Sequence, residues 1–150
     1  RLDQTAHEIR NISYEMMPVT LRDLGLIPAL EDLLQRSFNT LEIDFEIDTV
    51  GMEERLPEKV ETAIFRITQE LINNVVKHSQ ATAISLLLKK SATFILFRFE
   101  DNGIGFEEEK IVKGIGLTSV FTRIELLNAK LDVDSEPAGG TVVSIRIPVQ

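Results

Sequence analysis

The chain has 150 residues, of which 43% are hydrophobic and 27% are charged, a balance typical of one globular domain. A formal net charge of −8, without clustered Lys and Arg, excludes binding of nucleic acid or anionic lipid through a basic surface. The absence of cysteine excludes disulfides and thiolate metal sites, and it allows a reducing compartment. No apolar run approaches the roughly 18 residues that span a bilayer, so no membrane contact is expected for this segment.

Apolar residues between Leu2 and Met17 recur at helical spacing, and the pattern ends at Pro18. This stripe has two interpretations: a helix packed on its own domain, or the tail of a longer helix that pairs with another chain. Because the chain begins with Arg1 rather than Met, we expect a fragment or a processed product.

The rest of the chain alternates helical and strand-like patterns. Strands that occur in adjacent pairs predict a mixed, mostly antiparallel sheet with three helices on one face, an α+β two-layer sandwich. That architecture fits an enzyme or a binding module equally well. The predicted elements are a turn or short helix over residues 21–25, helices over 26–34, 58–79 and 117–128, and strands over 41–48, 83–89, 93–100, 130–135 and 141–149.

The long predicted helix carries a polar stripe opposite its apolar face. Glu70, Asn74 and His78 recur at a spacing of four residues, and Lys77 lies at the edge of the stripe. Oxygen donors such as Glu70 and Asn74 suit Mg2+, which also relies on substrate phosphates that Lys77 and His78 could meet. The alternative interpretation is a solvated polar face.

A glycine-containing turn follows the strand predicted over residues 93–100. Gly103 and Gly105, close to Asp101, let the backbone turn sharply and approach a flat ligand. The Asp101 carboxylate could then accept a hydrogen bond from an exocyclic amine. Because Asp-Asn-Gly is also common turn chemistry, a plain turn is the alternative.

Two more glycine pairs occur further along the chain. Gly114 and Gly116 precede the helix predicted from Leu117, and the free N–H groups of a helix N-terminus bind phosphate, although a capping turn is the alternative. The glycines at 139–140 precede Thr141, which by itself indicates only a tight turn. Neither a P-loop nor a dinucleotide-binding spacing occurs, so those two folds are not supported.

In this order, the segments resemble the ATP-binding module of sensor histidine kinases, within the GHKL superfamily that includes Hsp90, gyrase and MutL ATPases. The resemblance extends over the whole chain and implies the Bergerat-type ATP-binding fold. The family's N box is similar to residues 70–78, its adenine-binding box to 101–106, and its two later glycine boxes to 114–116 and 139–141. Residues 107–113 would form the lid over the nucleotide.

The resemblance implies ATP and Mg2+ as cofactors and gives roles to individual residues. Asn74 would bind Mg2+, with Glu70 as a further candidate ligand and as the candidate base for the acceptor histidine. Asp101 would receive the adenine amino group, with Thr141 beside it. The other implied nucleotide-binding residues are Lys77, His78, Gly103, Gly105, Gly114, Gly116 and Leu117.

Residues 17–30 resemble the junction after the dimerisation helices in the branch with nitrate-sensor-like and cell-envelope-stress-like kinases. Residues 1–19 would then end the second dimerisation helix, residues 20–150 would form the ATP-binding catalytic domain, and upstream helices would make a homodimer. That branch carries its phosphoacceptor on the first helix, so we expect His7 to be a helix-surface residue and the acceptor to lie outside the chain. The expected location is cytoplasmic, which is compatible with a membrane anchor elsewhere in a longer protein.

The function implied by the resemblance is positioning of Mg-ATP for phosphoryl transfer to that histidine, and onward to the receiver domain of a response regulator. One alternative is a nucleotide-sensing interaction module without transfer activity. Another is a related serine kinase or ATP-hydrolysing clamp, against which the junction and the lack of long insertions argue.

Overall fold

A computed structural model describes residues 18–39, 41–104, 118–135 and 138–149, and for residues 78–79 and 118–119 it describes only the backbone. None of the helices in these ranges is both long and apolar enough to cross a membrane. The elements are α1 (Val19–Leu24), α2 (Leu26–Phe38), β1 (Asp44–Val50), α3 (Glu58–Asn74) with a π-helical turn (Val75–Ser79), β2 (Ala83–Lys90), β3 (Phe94–Asp101), α4 (Thr118–Leu126), β4 (Lys130–Ser135) and β5 (Thr141–Pro148).

The strands form one sheet in the order β1-β2-β3-β5-β4. The β1–β2 pair is parallel, and the other three neighbouring pairs are antiparallel. This confirms the predicted α+β class with a mixed, mostly antiparallel sheet. The dimerisation helix predicted before Pro18 lies outside the described residues.

Alternate residues of the three central strands are apolar and buried, and the strand register places them side by side. They belong to one core with buried residues of the helices, such as Leu30, Ile64 and Val120. Burial of each such side chain contributes about 1.5–3 kcal/mol, which makes this layer the main source of stability. The helices therefore cover one face of the sheet, as predicted. The buried strand residues are Ile84, Leu86, Leu88, Ile95, Phe97, Phe99, Val143, Ile145 and Ile147.

Strand β1 forms an edge of the sheet and has the acidic outer face that its alternating sequence predicts. Asp44, Glu46 and Asp48 are exposed, whereas Phe45 and Ile47 are partly buried against the core. A row of like charges on an edge strand opposes pairing with another chain.

The helix predicted over residues 58–79 is present, but its last turn is not α-helical. Regular α-helix ends at Asn74, and Val75–Ser79 form the π-helical turn. Two successive β-branched residues, Val75 and Val76, weaken the preference for α-helix at this point. Gln80 then ends the helix in the left-handed conformation, with φ of 55°.

Two other predicted elements are shorter than expected, and each has a residue with positive φ beside the moved boundary. Helix α4 ends at Leu126 rather than at residue 128, because Asn128 has φ of 53° and adopts the left-handed conformation that closes helices. Strand β1 begins at Asp44 rather than at residue 41, and Glu42, with φ of 55°, lies in the turn before it.

An ion pair between buried Glu61 and half-exposed Arg55 connects α1 to α3. Glu61 is 3% exposed and accepts hydrogen bonds from Arg55 Nη2 at 2.7 Å and Arg55 Nε at 3.0 Å, and from the Leu56 N–H at 3.3 Å. Arg55 also donates to the carbonyl oxygens of Leu21 and Arg22, at 3.1 and 3.3 Å, in the last turn of α1. The Glu61 hydrogen bonds are the main reason that the pKa of the Arg55 guanidinium is raised. This group fixes the junction segment to the start of α3.

Candidate functional site

The Asp101 side chain lies at the end of β3, on the face of the sheet that the helices cover. The register places Asp101 beside Ile84 of β2 and Thr141 of β5. The residue is 7% exposed, which is uncommon for an aspartate. A buried carboxyl group at a strand end needs partners, because an isolated buried charge is unstable.

Backbone N–H groups supply those partners. The Gly103 N–H donates to Asp101 Oδ1 at 2.8 Å, and the Thr141 N–H also hydrogen bonds to the carboxyl group. None of the ion pairs found in the described part of the chain includes Asp101. Burial raises the pKa of Asp101 above its ordinary value of 3.8, although both N–H donors lower it, and the nearby Glu100 charge raises it further. Two hydrogen bonds leave roughly two of about four acceptor positions on the carboxylate for another donor.

Gly140 allows the two strand ends to approach each other closely. Its φ is 78°, and a Cβ at this position would overlap the Asp101 carbonyl oxygen. Only glycine fits both requirements. The Ala138 N–H donates to the carbonyl oxygen of Ile104, which joins the loop after β3 to the turn before β5.

Two hydroxyl groups extend this corner of the sheet. Thr141 is 9% exposed, and its Oγ1 lies 2.8 Å from Ser135 Oγ at the end of β4. Ser135 Oγ also donates to the Gly140 carbonyl oxygen at 3.2 Å. The corner therefore combines a carboxyl group, two hydroxyl groups and a glycine without a side chain.

Asn102 supports the site in a way that sequence reasoning missed. Its Oδ1 accepts hydrogen bonds from the N–H groups of Thr82 and Ala83, at 2.9 and 3.0 Å, and its Nδ2 donates to Thr82 Oγ1 at 3.0 Å. The side chain thus holds the start of β2 against the turn after β3. The Asp-Asn-Gly sequence was the signal that could have predicted this role, because Asn side chains often bond to nearby backbone groups in turns. The hydrogen bond from the Gly103 N–H to Asp101 Oδ1 has the form of an Asx-turn, as the plain-turn interpretation expects.

The polar stripe of α3 begins at Glu70 and reaches Asn74, the last residue of regular α-helix. Both side chains are partly buried, and Glu70 has an interaction partner. Lys77 is exposed on the π-helical turn, and His78 belongs to the same turn. π-Helical turns inside longer helices occur frequently at functional sites, because they change the direction of the following side chains.

The structure thus brings Asp101, Gly103 and Thr141 into contact, and it places Glu70 and Asn74 on one helix of the layer that covers the sheet. Four further residues with an expected nucleotide role lie outside the described ranges: Gly105, Gly114, Gly116 and Leu117.

Chemically, the corner around Asp101 presents hydrogen-bond acceptors next to a backbone that approaches closely. Such an arrangement accepts an amino group from the edge of a flat molecule. Among residues 18–39, 41–104, 118–135 and 138–149, no three acidic or histidine side chains cluster as a metal site. A protein-only metal cage is therefore absent from these ranges, and a hard cation would need most of its ligands from water or phosphate.

A fold and a site of this kind define a nucleotide-binding domain, and the comparisons with known proteins give its family. The family described as "Histidine kinase-, DNA gyrase B-, and HSP90-like ATPase" matches residues 59–150. The chain belongs to this family.

Curated relatives are sensor histidine kinases. The chain is 34% identical over 143 residues to the "Signal transduction histidine-protein kinase/phosphatase DegS" of Brevibacillus brevis, a match that covers 95% of this chain and 37% of that protein. It is 29% identical over 144 residues to the "Oxygen sensor histidine kinase NreB" of Staphylococcus carnosus, which covers 95% of this chain and 42% of that one. The chain therefore spans less than half the length of these relatives, and the resemblance to sensor histidine kinases is confirmed.

Solved structures show the same fold. The catalytic domain of the histidine kinase ThkA matches with a TM-score of 0.68 at 20% identity, over 82% of this chain and 89% of that one. The Acinetobacter baumannii histidine kinase AdeS matches with a TM-score of 0.64 at 16% identity, over 98% of this chain and 79% of that one.

Proposed function

We propose that this chain is the catalytic domain of a two-component sensor histidine kinase, which positions Mg-ATP for transfer of the γ-phosphoryl group to a histidine outside the chain. From that histidine the phosphoryl group would pass to the receiver domain of a response regulator. The family and the named relatives support the class of protein, and the Asp101 corner supports the nucleotide site. In a longer protein, upstream helices would form the homodimer, and the kinase activity would lie in the cytoplasm.

The observation that carries the proposal is the buried Asp101 carboxyl group. It is held by two N–H donors, has no cation partner among the described ion pairs, and keeps acceptor positions for a ligand. An adenine amino group fits this need, since it supplies the donor that the site lacks. Gly140 lets the start of β5 approach the end of β3, which brings Thr141 beside Asp101.

Mg2+ fits the donor set of α3. Asn74 offers an amide oxygen at a partly buried position, and Glu70 lies one helical turn before it. A site with few protein oxygens suits Mg2+, which keeps several waters and binds phosphate oxygens. Bound Mg2+ would neutralise phosphate charge, while Lys77 and His78 would add positive charge near the phosphates.

The remaining roles follow from what phosphoryl transfer requires. Positioning and charge stabilisation provide most of the rate, so a nucleophile within this chain is unnecessary. Glu70 is the candidate base for the attacking histidine, because a carboxylate can accept the proton that the imidazole loses. The glycines at 105, 114 and 116, with Leu117, would line the phosphate and lid side of the nucleotide.

The nucleotide site is tested by calorimetric titration of the chain with a non-hydrolysable ATP analogue, with and without Mg2+. We expect binding that strengthens with Mg2+ and falls at least about tenfold in Asp101→Asn. Wild-type protein that binds no nucleotide, or Asp101→Asn with unchanged affinity, would contradict the proposal.

The metal assignment has a matched control in the neighbouring residue. Asn74→Ala should remove the Mg2+ dependence of nucleotide binding, whereas Asn73→Ala, at an exposed position of the same helix, should keep it. Equal behaviour of the two variants would exclude Asn74 as the Mg2+ ligand.

Transfer is tested with a longer protein that includes the upstream helices. Incubation with ATP should yield acid-labile, base-stable phosphate, as a phosphohistidine gives. Nucleotide binding without any phosphorylation would favour the sensing module that lacks transfer activity.

A further inference from the structure

The two layers of the domain leave a cavity at the end opposite the Asp101 corner. Its volume is about 340 Å³, in the lower part of the range for sites that bind small molecules. The start of α3 and the end of α4 line it on the helix side, and β2, β3 and β5 line it on the sheet side. We call this space the distal cavity and define it by Leu56, Lys59, Val60, Lys90, Ile95 and Ile147.

The walls of the distal cavity are mostly apolar and belong to the core of the domain. Ile95 and Ile147 are paired in the strand register and are 2% and 1% exposed. Leu56 is also buried, and Val60 and Leu127 are partly buried against the same core. An apolar chain that entered between the layers would therefore contact apolar side chains on two sides, and most of its surface would be removed from water.

Two lysines carry the charge of the distal cavity. Lys59 is exposed in the first turn of α3, and Lys90 is partly buried at the end of β2. Neither takes part in the ion pairs found within the described ranges, and none of the described residues that line the cavity is Asp or Glu. In a chain of net charge −8, this local excess of positive charge indicates an anionic ligand.

The position of Lys59 adds to the positive field at the distal cavity. The first turn of a helix is the positive end of the helix dipole, where a lysine is unfavourable for the helix itself. Glu58 and Glu61 lie in the same turn, but Glu61 is paired with Arg55, and neither glutamate lines the cavity. The helix end and the lysine therefore act in the same direction on an anion.

We propose that the distal cavity binds a small amphiphile with a carboxylate head and a short alkyl chain. Lys59 and Lys90 would meet the carboxylate, and the apolar walls would surround the chain. Apolar walls alone would accept a neutral molecule, and lysines alone would accept any anion, so the combination defines the class of ligand. The position between two layers, and a volume of small-molecule size, favour such a ligand over a segment of another protein.

This site is separate from the Asp101 corner, so the inference does not depend on the proposed function. Strand β5 begins at the corner with Thr141 and ends at the distal cavity with Pro148. The eight residues of this strand span roughly 23 Å. Octanoate bound at one end would therefore not reach the other.

Titration of the isotope-labelled chain with octanoate, followed by NMR, tests the location of the site. We expect saturable shifts of the backbone amides of Val60, Ile95 and Ile147, whereas those of Asp101 and Thr141 stay unchanged. Decanoate should bind about tenfold to fifteenfold more tightly, because each further buried methylene contributes about fourfold. Shifts that do not saturate, shifts centred on Asp101, or equal affinities for octanoate and decanoate would overturn the proposal.

The role of the lysines is tested by removing both charges. Lys59→Met combined with Lys90→Met keeps the aliphatic stems and should lower octanoate affinity about fivefold to tenfold, while the affinity for octanol stays within about twofold. Lys89→Met is the matched control, since Lys89 precedes Lys90 on β2 but pairs with Leu96 on the outer face of the sheet. Equal losses for octanoate and octanol in the double variant, or an equal loss of octanoate affinity in Lys89→Met, would contradict the assignment of the head group to the two lysines.

Two further ligands separate the competing outcomes. Octanoate affinity should stay within about twofold when ADP is present at saturation, and displacement by ADP would place octanoate in the nucleotide site instead. If neither carboxylate binds but an acidic peptide with one leucine shifts the same amides, the occupant is a protein segment and the proposal fails. Absence of ADP binding would contradict the proposed function and leave the octanoate results as they are, so the two failures are distinguishable.

Discussion

Two buried carboxyl groups of this domain, Glu61 and Asp101, have very different surroundings. Glu61, 3% exposed, receives two hydrogen bonds from the Arg55 guanidinium and one from a backbone N–H. Asp101, 7% exposed, receives hydrogen bonds only from backbone N–H groups, and burial raises its pKa. The Arg55 guanidinium balances the charge of Glu61, whereas none of the described ion pairs includes Asp101.

Under the proposed function, Glu61 serves the fold and Asp101 is available to bind a ligand. The Glu61 group joins α1, the 55–57 segment and α3, so its removal should weaken the fold. The Asp101 carboxyl group costs stability when it is ionised, because burial disfavours the charge. Proteins retain such groups where function needs them, since activity and stability often oppose each other at a site.

Glu61→Gln should have the largest effect on stability. The change removes the charge that Arg55 meets and places an amide where the N–H groups of Leu56 and Arg55 need acceptors. We expect the free energy of unfolding to fall by about 1.5–3 kcal/mol, the value of hydrogen bonds to a charged group that are lost at a buried position. Urea unfolding measures the change.

The control for Glu61 is an exposed ion pair. Asp32 accepts from Arg36 Nε at 2.9 Å on the surface of α2, and Asp32→Asn should cost no more than about 0.5 kcal/mol. Similar losses in the two variants would contradict the structural role of the buried pair.

Gly140→Ala is expected to have the next largest effect. The new Cβ would meet the Asp101 carbonyl oxygen while the residue must keep φ of 78°. Strain of this kind costs about 1–3 kcal/mol, and nucleotide affinity should fall as well because the two strand ends move apart. Gly51→Ala, also at positive φ, would place a Cβ against the Lys90 carbonyl oxygen at the end of β2, and it should destabilise the fold without changing nucleotide affinity in the folded protein. Equal loss of affinity in both variants would show that Gly140 acts only through general stability.

Asn102→Ala should destabilise moderately. Three hydrogen bonds between Asn102 and the 82–83 segment disappear, but they lie at an exposed position where water replaces part of them. We expect a loss of about 1 kcal/mol in the free energy of unfolding. Asn102→Asp, which keeps the acceptor for both N–H groups, should recover part of this loss, and no recovery would contradict the acceptor role.

Asp101→Asn should have the smallest effect on stability, with a sign that depends on pH. The raised pKa means that the folded protein still holds the Asp101 proton at pH values where the unfolded chain has released it. The stabilisation from this proton is present below the unfolded pKa, and it is lost as pH rises through the folded pKa. The variant should therefore gain stability relative to wild type as pH rises from the ordinary aspartate value of 3.8 through the raised pKa of the folded protein.

Urea unfolding of Asp101→Asn and wild type across this pH range measures the difference. Ser144→Ala changes no titratable group, so its difference from wild type should stay constant with pH. A relative loss of stability by Asp101→Asn as pH rises would contradict the assigned direction of the pKa shift.

The sequence predicts most of the fold because apolar periodicity determines it. The alternation at Phe45 and Ile47, and the helical spacing through Ile64 and Ile67, correctly predict elements and their buried faces. Two boundaries fail beside residues that adopt positive φ: Glu42 precedes the delayed start of β1 and Asn128 follows the early end of α4, and neither residue is glycine. Sequence patterns carry little information about such conformations, because several residue types adopt them only rarely.

The sequence likewise predicts only part of the candidate site. Local motifs allowed a ligand role for Asp101, and the family resemblance implied nucleotide-binding roles for Asp101 and Thr141, which the structure places side by side through strand pairing. The supports of the site depend on contacts between neighbouring strands. The hydrogen bonds from Asn102 to Thr82, and from Ser135 to the Gly140 region, arise from strand register, which residue spacing alone does not reveal.

The most direct test of the account is nucleotide titration of Asp101→Asn beside Glu61→Gln, at a temperature where both variants remain folded. With a non-hydrolysable ATP analogue and Mg2+, we predict at least about a tenfold loss of affinity for Asp101→Asn and a change within about threefold for Glu61→Gln. That result would assign the Asp101 carboxyl group to ligand binding and the Glu61 carboxyl group to the stability of the fold. Wild-type affinity in Asp101→Asn, or equal losses in the two variants, would contradict this division.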